Sequence, residues 1–340
     1  MKKKNVLMIG LYPPHIGGVA SYVHELTRAL ESLGVTVYIV TYGKASEPHV
    51  YGTFTTRRLR GLSFLATGTR KAYQIIKKKD IDILHAHYLV PPGLVGVSAK
   101  NLSHIPLVVT CHGSDILVFS TGWKRIISQY VAEHADYVVC NSKATLTTAK
   151  ELSSTDTRFI PSGVNLDQFY PLSVKREAVT YVGGLSHVKG VDIFLRAMRG
   201  IPEKVWIIGD GPERSNLERL AEELQVDCTF WGFRTDICEF MNKSKIVVLP
   251  SRKEGFGLTI LEAMACGTPV IGKNTGGIPE IITGENGLLF NTEEELHEKV
   301  LNLLQDNILW KQLREKGLET VSQWSWEETA LLYADLYDKL

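Results

Sequence analysis

A strand, a glycine-rich turn and a helix follow one another directly in the second half of the chain. Residues 246–249 (IVVL) form an apolar run typical of a buried parallel strand. After the turn EGFG, residues 258–266 carry a helical pattern that a glycine and a proline close. The first N–H groups of such a helix lack internal partners, and the helix dipole favours negative charge there. We therefore expect the amides of Gly257, Leu258 and Thr259 to hold a phosphate.

Two glutamates flank this predicted anion site. Glu254 lies in the turn, and Glu262 lies about one turn into the helix, where its side chain leans back toward the N-terminus. Beside a phosphate, two carboxylates repel the ligand unless they accept hydrogen bonds from hydroxyl groups. A sugar and a ribose on either side of a diphosphate supply such hydroxyls, so the pattern predicts a nucleotide-sugar. The alternative is an exposed helix with scattered glutamates.

The charge is distributed unevenly over a chain whose 340 residues suit two domains. Residues 1–160 carry 19 Lys and Arg against 10 Asp and Glu, whereas residues 161–340 carry 19 against 27. This asymmetry predicts an anionic partner for the first half. A lipid phosphate or a membrane surface fits better than a nucleic acid, because no nucleic-acid-binding motif is present.

Cysteine usage and hydropathy predict a cytoplasmic protein. The five cysteines are scattered without a C-x-x-C pair, as expected of reduced thiols. The first apolar run is about six residues long, too short for a secretory signal, and no apolar run reaches about 18 residues. We expect a cytoplasmic location and leave open an association with the cytoplasmic face of a membrane.

The chain opens with a Rossmann-like unit: strand 5–10, a glycine loop, helix 19–33 and strand 35–41. The loop glycines do not match the dinucleotide fingerprint, which disfavours a dehydrogenase. Gly17 and Gly18 allow a close approach of the backbone to a ligand, and a simple turn is the alternative.

The segment 54–80 contains eight Lys and Arg with apolar residues between them. Such a segment can lie on an anionic membrane, and a solvated helix face is the equal alternative. Its basic residues are Arg57, Arg58, Arg60, Arg70, Lys71, Lys77, Lys78 and Lys79.

Polar residues follow strands in both halves. His112 comes directly after the predicted strand 107–110, at the carboxyl end where α/β sheets bind ligands, and Asp115 is close enough to orient it or an acceptor hydroxyl. A histidine that only ends the strand is the alternative. His85 and His87 share a face of the predicted strand 81–85 and its end, but without a third ligand we expect no metal site.

The second half of the chain also opens with a strand that leads into a glycine-rich loop. Strand 179–182 runs into GGLSHVKG, and Lys189 lies just ahead of helix 191–198, within reach of a diphosphate. The loop WGFR, which ends at Arg234, follows a strand that begins at Cys228.

These motifs, taken in order, resemble those of the retaining glycosyltransferases of family 4 (glycosyl transferases group 1), over nearly the whole chain. The resemblance rests on E-G-F-G-L-T-I-L-E, H-G, G-G-L-x4-K-G and the two glycine loops. It implies an α/β chain of two Rossmann-like, doubly wound domains facing a cleft, the GT-B fold. Residues 1–165, with a returning helix at 324–340, would form the acceptor-side domain, and residues 166–323 would bind the nucleotide-sugar.

The resemblance also implies residue roles. Glu254 and His112 would contact the transferred sugar as the catalytic residues, and Glu262 would bind the ribose. The remaining donor-binding positions are Lys189, Gly257, Leu258 and Thr259 at the diphosphate, Gly17 and Gly18 in the first glycine loop, Gly184, and Arg234 near the base.

Gly184 departs from the family, because many members carry at this position an arginine that binds phosphate together with the lysine. Either Lys189 and the helix amides suffice, or Arg252 or Lys253 substitutes.

The expected reaction is transfer of a sugar, with retention, from a UDP- or GDP-linked donor to a hydroxyl of a glycan or lipid-linked acceptor. Family frequency alone favours UDP. No metal-binding DxD motif is evident, so we expect no metal ion and no cofactor. A sugar-nucleotide epimerase of the same fold and a non-catalytic sugar-nucleotide-binding protein are the alternatives; a phosphorylase would need a pyridoxal-phosphate lysine, for which no signature is present.

Overall fold

The computed structural model describes residues 3–15, 17–45, 47–56, 58–117 and 122–340. Ile16 of the first glycine loop and Arg57 of the basic segment lie outside these described residues. The chain divides into two compact units, which we call unit 1 (residues 1–163 and 326–340) and unit 2 (residues 164–325).

Unit 1 is built on a parallel sheet whose described strands number seven, in the order β3-β2-β1-β4-β5-β6-β7. The central strands are buried on both faces, as a sheet covered by helices requires, and they are mainly apolar except for His85 and His87 in β4. The strands are β1 (Asn5–Ile9), β2 (Thr36–Tyr42), β3 (Val50–Thr53), β4 (Ile83–His87), β5 (Leu107–Cys111), β6 (Tyr137–Cys140) and β7 (Thr157–Phe159).

Six α-helices precede residue 160 in the part of the chain that the structure describes. Ser142 caps the last of them, because its Oγ accepts a hydrogen bond from the Thr145 N–H at 3.1 Å. They are α1 (Gly18–Ser32), α2 (Arg60–Ile76), α3 (Leu94–Ser103), α4 (Ser114–Leu117), α5 (Trp123–His134) and α6 (Lys143–Leu152).

Unit 2 repeats the plan with a six-stranded parallel sheet in the order β10-β9-β8-β11-β12-β13. Its strands are β8 (Ala178–Val182), β9 (Lys204–Ile208), β10 (Cys228–Gly232), β11 (Ser244–Leu249), β12 (Val270–Lys273) and β13 (Leu288–Phe290). Its helices are α7 (Val191–Ala197), α8 (Arg214–Glu223), α9 (Ile237–Lys243), α10 (Leu258–Ala265), α11 (Ile278–Ile281), α12 (Glu293–Gln305) and α13 (Asn307–Val321).

The last helix, α14 (Trp326–Asp338), belongs to unit 1 and packs against α1. Its Tyr333 and Tyr337 are fully buried, and the Lys4 ammonium donates a hydrogen bond of 2.6 Å to the carbonyl oxygen of Tyr337. The predicted return of the C-terminal segment is confirmed, as is the predicted α/β fold with two doubly wound sheets.

Strand order identifies where a ligand site is favoured. The order of connection reverses between β1 and β4 in unit 1 and between β8 and β11 in unit 2. In open parallel sheets, ligands bind beyond the carboxyl ends of the strands at such a reversal. The two glycine loops, which follow β1 and β8, and the strand–turn–helix after β11 all lie at these positions.

Several strands differ in detail from the sequence predictions. Strand β4 spans Ile83–His87 rather than 81–85, so His87 as well as His85 lies inside it. The short edge strand β3 was not predicted, because its four residues (VYGT) carry no apolar run. Among the described residues, no helix combines the length and the apolar character needed to cross a bilayer.

Candidate active site

The predicted anion site of unit 2 is an uncapped helix N-terminus. Helix α10 begins at Leu258, immediately after Gly257, whose φ of +105° lies in the region that favours glycine. No side chain of the described residues caps this end of the helix. The first amides of α10 are therefore not satisfied by a side chain and are oriented to receive an anion.

Two glycines bring neighbouring loops onto the turn that precedes α10. A Cβ added to Gly190 would lie 2.2 Å from the carbonyl oxygen of Pro250, and one added to Gly276 would lie 1.8 Å from that of Glu254. Gly190 has a φ of +66° and Gly276 a φ of +56°. Only glycine permits these close approaches, which fix the backbone around Glu254.

Glu254 and Lys189 form an ion pair. The Lys189 ammonium donates to Glu254 Oε2 at 2.8 Å, and the Ser251 hydroxyl donates to the same oxygen at 2.9 Å. The Gly255 N–H donates to Glu254 Oε1 at 3.2 Å. The residue predicted to bind the diphosphate and the residue predicted to orient the sugar are thus in direct contact.

Glu262 lies in the second turn of α10 and is partly exposed. It lies on the helix whose N-terminus is the predicted anion site. Leu258 and Thr259, also partly exposed, are the first two residues of the same helix.

Arg252 binds Asp192 rather than standing at the uncapped N-terminus. Its guanidinium donates to both carboxylate oxygens of Asp192 at 2.7 Å and to the carbonyl oxygen of His187 at 2.9 Å. The hydrogen bonds from Arg252 hold the pKa of Asp192 below its ordinary value. The prediction that Arg252 replaces the missing phosphate cation is therefore not supported by its contacts.

Gly184 lies in the loop after β8, is exposed, and has room for a side chain. Of the described atoms, a Cβ added there would meet only the carbonyl oxygen of Asp210, at 4.0 Å. The carbonyl of Gly184 itself accepts a hydrogen bond from the Tyr181 hydroxyl at 2.9 Å. Steric constraint does not explain the glycine.

Arg234 follows β10 and lies apart from the turn after β11, because β9 and β8 separate β10 from β11. That separation corresponds to about 14 Å across the sheet. Its guanidinium donates to both oxygens of Asp236, at 2.9 Å and 2.6 Å. Arg234 is exposed, so this pair does not hold a buried structure together.

In unit 1, the first glycine loop leads directly into α1. Gly17 has a φ of +133° and precedes the first helical residue, Gly18. A Cβ at either position would have no neighbour within 4 Å among the described residues, and both residues are exposed. The backbone here is therefore open to a ligand, and at Gly17 its conformation requires glycine.

Asp115 holds the backbone of the two loops that follow β4 and β5. Its Oδ1 accepts from the His112 N–H at 3.0 Å and its Oδ2 from the Leu89 N–H at 3.2 Å. Burial raises the pKa of Asp115 to about 6, although the backbone hydrogen bonds oppose the shift. Asp115 orients His112 through its main chain, and its complete burial leaves it no exposed surface for an acceptor hydroxyl.

His112 belongs to a cluster of three histidines. His85 and His87 are fully buried and His112 is partly exposed. The distance between His87 Nδ1 and His112 Nε2 is 3.2 Å, and that between His85 Nε2 and Thr110 Oγ1 is 2.7 Å. Burial lowers the pKa of His85 and of His112 to about 3 and that of His87 well below its ordinary value.

This histidine contact was not predicted, although the pair His85-Ala86-His87 at the end of a strand was a usable signal. Within the part of the chain that the structure describes, no group of three or more His, Cys, Asp and Glu is arranged to hold a metal ion.

Comparisons with known proteins cover both units. Residues 16–168 match the family described as Glycosyltransferase Family 4, and residues 165–320 match Glycosyl transferases group 1. An uncharacterized glycosyltransferase of Methanocaldococcus jannaschii is 33% identical over 98% of this chain and 98% of its own length. The N-acetyl-alpha-D-glucosaminyl L-malate synthase of Bacillus anthracis is 27% identical over 95% of this chain and 94% of its own length. The solved structure of sucrose-phosphate synthase from Thermosynechococcus elongatus has a TM-score of 0.86 and 25% identity, covering 99% of both chains.

Proposed function

The chain belongs to the glycosyl transferases group 1, of the family 4 type, and from that membership we propose that it transfers a sugar from a nucleotide-sugar donor. The proposed acceptor is a hydroxyl group of a glycan or of a lipid-linked saccharide, and the proposed outcome is retention at the anomeric carbon. The observation that carries the proposal is the Lys189–Glu254 ion pair beside the uncapped N-terminus of α10.

The diphosphate of the donor is proposed to bind between Lys189 and the amides of Gly257, Leu258 and Thr259. These groups supply positive charge from a fixed position, which stabilises the nucleoside diphosphate as it leaves. Lys189 already contacts Glu254, so it would link that carboxylate to the diphosphate and reduce the repulsion between the two anions.

The sugar and the ribose are proposed to be held by acidic side chains. Glu254 would accept hydrogen bonds from sugar hydroxyls and Glu262 from the ribose hydroxyls. For His112 of unit 1 we propose the role that family membership implies, a contact with the transferred sugar. Because Lys189 and the α10 amides supply the positive charge, we propose that the reaction needs no metal ion.

A nucleotide-binding measurement on four variants tests this function. Lys189→Ala and Glu262→Ala each remove a contact to a charged or hydroxyl-rich ligand, worth about 1.5 to 3 kcal/mol, so affinity should fall about tenfold to a hundredfold. Isothermal titration of UDP, GDP and their sugar conjugates in the presence of EDTA measures the change and identifies the base.

Matched controls lie on α13 of the same unit, where Lys316 and Glu319 form an exposed ion pair of 2.7 Å. Lys316→Ala and Glu319→Ala should bind nucleotide as the wild type does. Wild-type affinity in both Lys189→Ala and Glu262→Ala would refute the proposed donor site, and binding that EDTA abolishes would refute metal independence.

The acceptor proposal rests on α2 and the residues before it. No Asp or Glu occurs between residues 54 and 79, and the apolar side chains of Phe54, Leu59 and Leu62 are 74%, 59% and 66% exposed. The opposite face of α2 is buried through Phe64, Ala72 and Ile75. A segment that combines basic residues with exposed apolar side chains fits an anionic bilayer, where a lipid-linked acceptor would be presented.

Vesicle sedimentation tests the membrane contact. Binding to phosphatidylcholine vesicles should require added phosphatidylglycerol and should weaken as salt is raised. A triple variant with Arg58→Glu, Arg70→Glu and Lys78→Glu should lose it, whereas Lys150→Glu on α6 should not. Equal sedimentation of the triple variant and the wild type would refute a role for the basic segment 54–80.

A further inference from the structure

We propose that His87 is a positioning residue that fixes the proton of His112 on Nδ1, so that His112 presents an N–H donor to an oxygen of the transferred sugar. The inference rests on the proposed function only for the identity of that ligand. The arrangement of protons is a property of unit 1 alone.

The two rings meet at one hydrogen bond. His87 is the last residue of β4 and His112 directly follows β5, the strand that pairs with β4. His87 Nδ1 lies 3.2 Å from His112 Nε2, with the ring planes inclined by 33°. Both rings are neutral near pH 7, because burial lowers their pKa values far below 7. One nitrogen must therefore donate its proton and the other must accept it.

The surroundings of His87 Nε2 indicate which of the two rings donates the hydrogen bond. This atom is buried and has no hydrogen-bond partner among the described residues. If His112 donated from Nε2, the proton of His87 would sit on its own Nε2, as a buried N–H without an acceptor. If His87 donates from Nδ1, its Nε2 carries only a lone pair. Buried N–H groups without partners are rarer in proteins than under-satisfied acceptors, so the second arrangement is favoured.

The neighbouring ring of His85 has hydrogen-bond partners of its own. His85 Nδ1 lies 2.7 Å from the Tyr337 hydroxyl and its Nε2 lies 2.7 Å from Thr110 Oγ1, so both its nitrogens are used. Thr110 and the Tyr333 hydroxyl, 2.8 Å apart, continue this chain into α14. His85 is thus held by its own partners and does not compete for His87.

The free edge of His112 is the one available to a ligand. Its Nδ1 makes no hydrogen bond within the described chain, and the residue is partly exposed. The ring of Tyr22 packs against the His112 ring in an edge-to-face arrangement, with centroids 4.6 Å apart. With Nε2 bonded to His87 and one side packed against Tyr22, the ring keeps a single orientation, and a hydroxyl of the sugar would meet an N–H group.

Long-range ¹H–¹⁵N correlation spectra of the full chain, labelled with ¹⁵N-histidine, test the proposal directly. His112→Gln identifies the His112 signals by their loss. In the wild type at pH 7.5, Nδ1 of His112 should be protonated and Nε2 should be the unprotonated nitrogen. In His87→Ala the proton should move to Nε2, the tautomer that a neutral imidazole favours in water. A wild-type spectrum with the proton on Nε2, or an unchanged tautomer in His87→Ala, would overturn the proposal.

A second variant separates positioning from folding. Asn at position 87 can place an amide N–H close to where Nδ1–H lies, so His87→Asn should keep His112 in the wild-type tautomer. Turnover of nucleotide-sugar should fall at least tenfold in His87→Ala and recover in His87→Asn, with the Kd for nucleotide within twofold of the wild type in both. Full turnover in His87→Ala would refute the positioning role. A wild type that binds nucleotide but transfers no sugar would instead refute the proposed function and leave the tautomer assignment standing.

Discussion

Gly184 is the position at which the family resemblance led us to expect an arginine. Its exposed backbone has room for a longer side chain, and Lys189 follows in the same loop region. Lys189 is already paired with Glu254, so positive charge beside the uncapped α10 terminus is partly neutralised.

Gly184→Arg should therefore tighten nucleoside diphosphate binding by about tenfold, the gain expected of one charge-assisted hydrogen bond of about 1.5 kcal/mol. Titration calorimetry at two salt concentrations measures the effect, which should shrink as salt is raised. Gly184→Ala is the control for backbone effects and should bind as the wild type does. Weaker binding by the arginine variant would mean that the position does not face the diphosphate.

The histidine cluster makes stability depend on pH. His85 has a folded pKa of about 3 against an ordinary value of 6.5, and burial also keeps His87 neutral when folded. Only the unfolded chain takes up these protons, so stability is full above about pH 6.5 and falls as the pH drops toward 3. Asp115 acts in the opposite direction, because its folded pKa is raised to about 6 and its protonation in the folded state favours folding.

Acidification from pH 7.5 to pH 5 should therefore lower the free energy of unfolding by about 2 kcal/mol for each of the two fully buried histidines. Protonation of Asp115 in the folded state should raise it by about 1 kcal/mol. Urea unfolding at the two pH values measures the difference. His85→Gln should reduce the loss, whereas His134→Gln, at an exposed position on α5, should leave it unchanged. Equal stability of the wild type at both pH values would contradict the buried neutral histidines.

At the scale of secondary structure, the contact between two loops fixes the position of Glu254. Gly276 precedes α11 and lies so close to the Glu254 carbonyl that a methyl group cannot be placed there. The contact with the loop after β12 thus restricts the conformation of the turn after β11.

Gly276→Ala should lower the free energy of unfolding by about 2 to 4 kcal/mol and weaken nucleotide binding, since Glu254 must move. Urea unfolding and titration calorimetry give the two quantities. Gly284→Ala is the matched control, because it has the same kind of backbone strain at a φ of +93° but no neighbour within 4 Å. It should cost about 1 to 2 kcal/mol and leave nucleotide affinity unchanged. Identical behaviour of the two variants would show that strain alone, and not the Glu254 contact, matters at Gly276.

At the scale of the whole chain, the last helix is part of the first unit. Helix α14 buries Trp326, Tyr333 and Tyr337, and its tyrosine hydroxyls reach His85, Thr110 and Tyr22. Loss of one large buried aromatic side chain costs about 3 to 5 kcal/mol, while a whole domain is stable by about 5 to 15 kcal/mol.

A chain that ends at Ser325 should therefore have an unfolded unit 1 and a folded unit 2. Hydrogen exchange read by mass spectrometry should show protection lost from β1, β4 and β5 and kept in β8 and β11. Nucleotide affinity should fall by less than tenfold if unit 2 alone holds most of the donor. Removal of only Lys339 and Leu340 is the control. Retained protection of β1 in the shorter chain would contradict the role of α14.

The sequence by itself determined most of the succession of strands and helices and the helix start at which we propose the anion site. Apolar runs, helical periodicity and glycines act over a few residues, so they can be interpreted without knowing what lies beside them. The edge strand β3 was not predicted, because its residues carry no such local pattern. The roles of Glu254, Glu262 and His112 came from spacing and family resemblance, and they stay predictions until binding and turnover are measured.

Only the tertiary structure decided which distant residues meet. Lys189 and Glu254 are 65 positions apart, yet they form an ion pair because β8 and β11 are neighbours in the sheet. Arg252 binds Asp192, and His87 meets His112, for the same reason. The order of the strands depends on how completely the apolar faces of the helices and the sheet are buried. That burial free energy is summed over the entire chain, so no single motif reveals it. The local sequence pattern therefore predicted the kind of ligand for the site. The packing of the strands determined which side chains contact and position one another there.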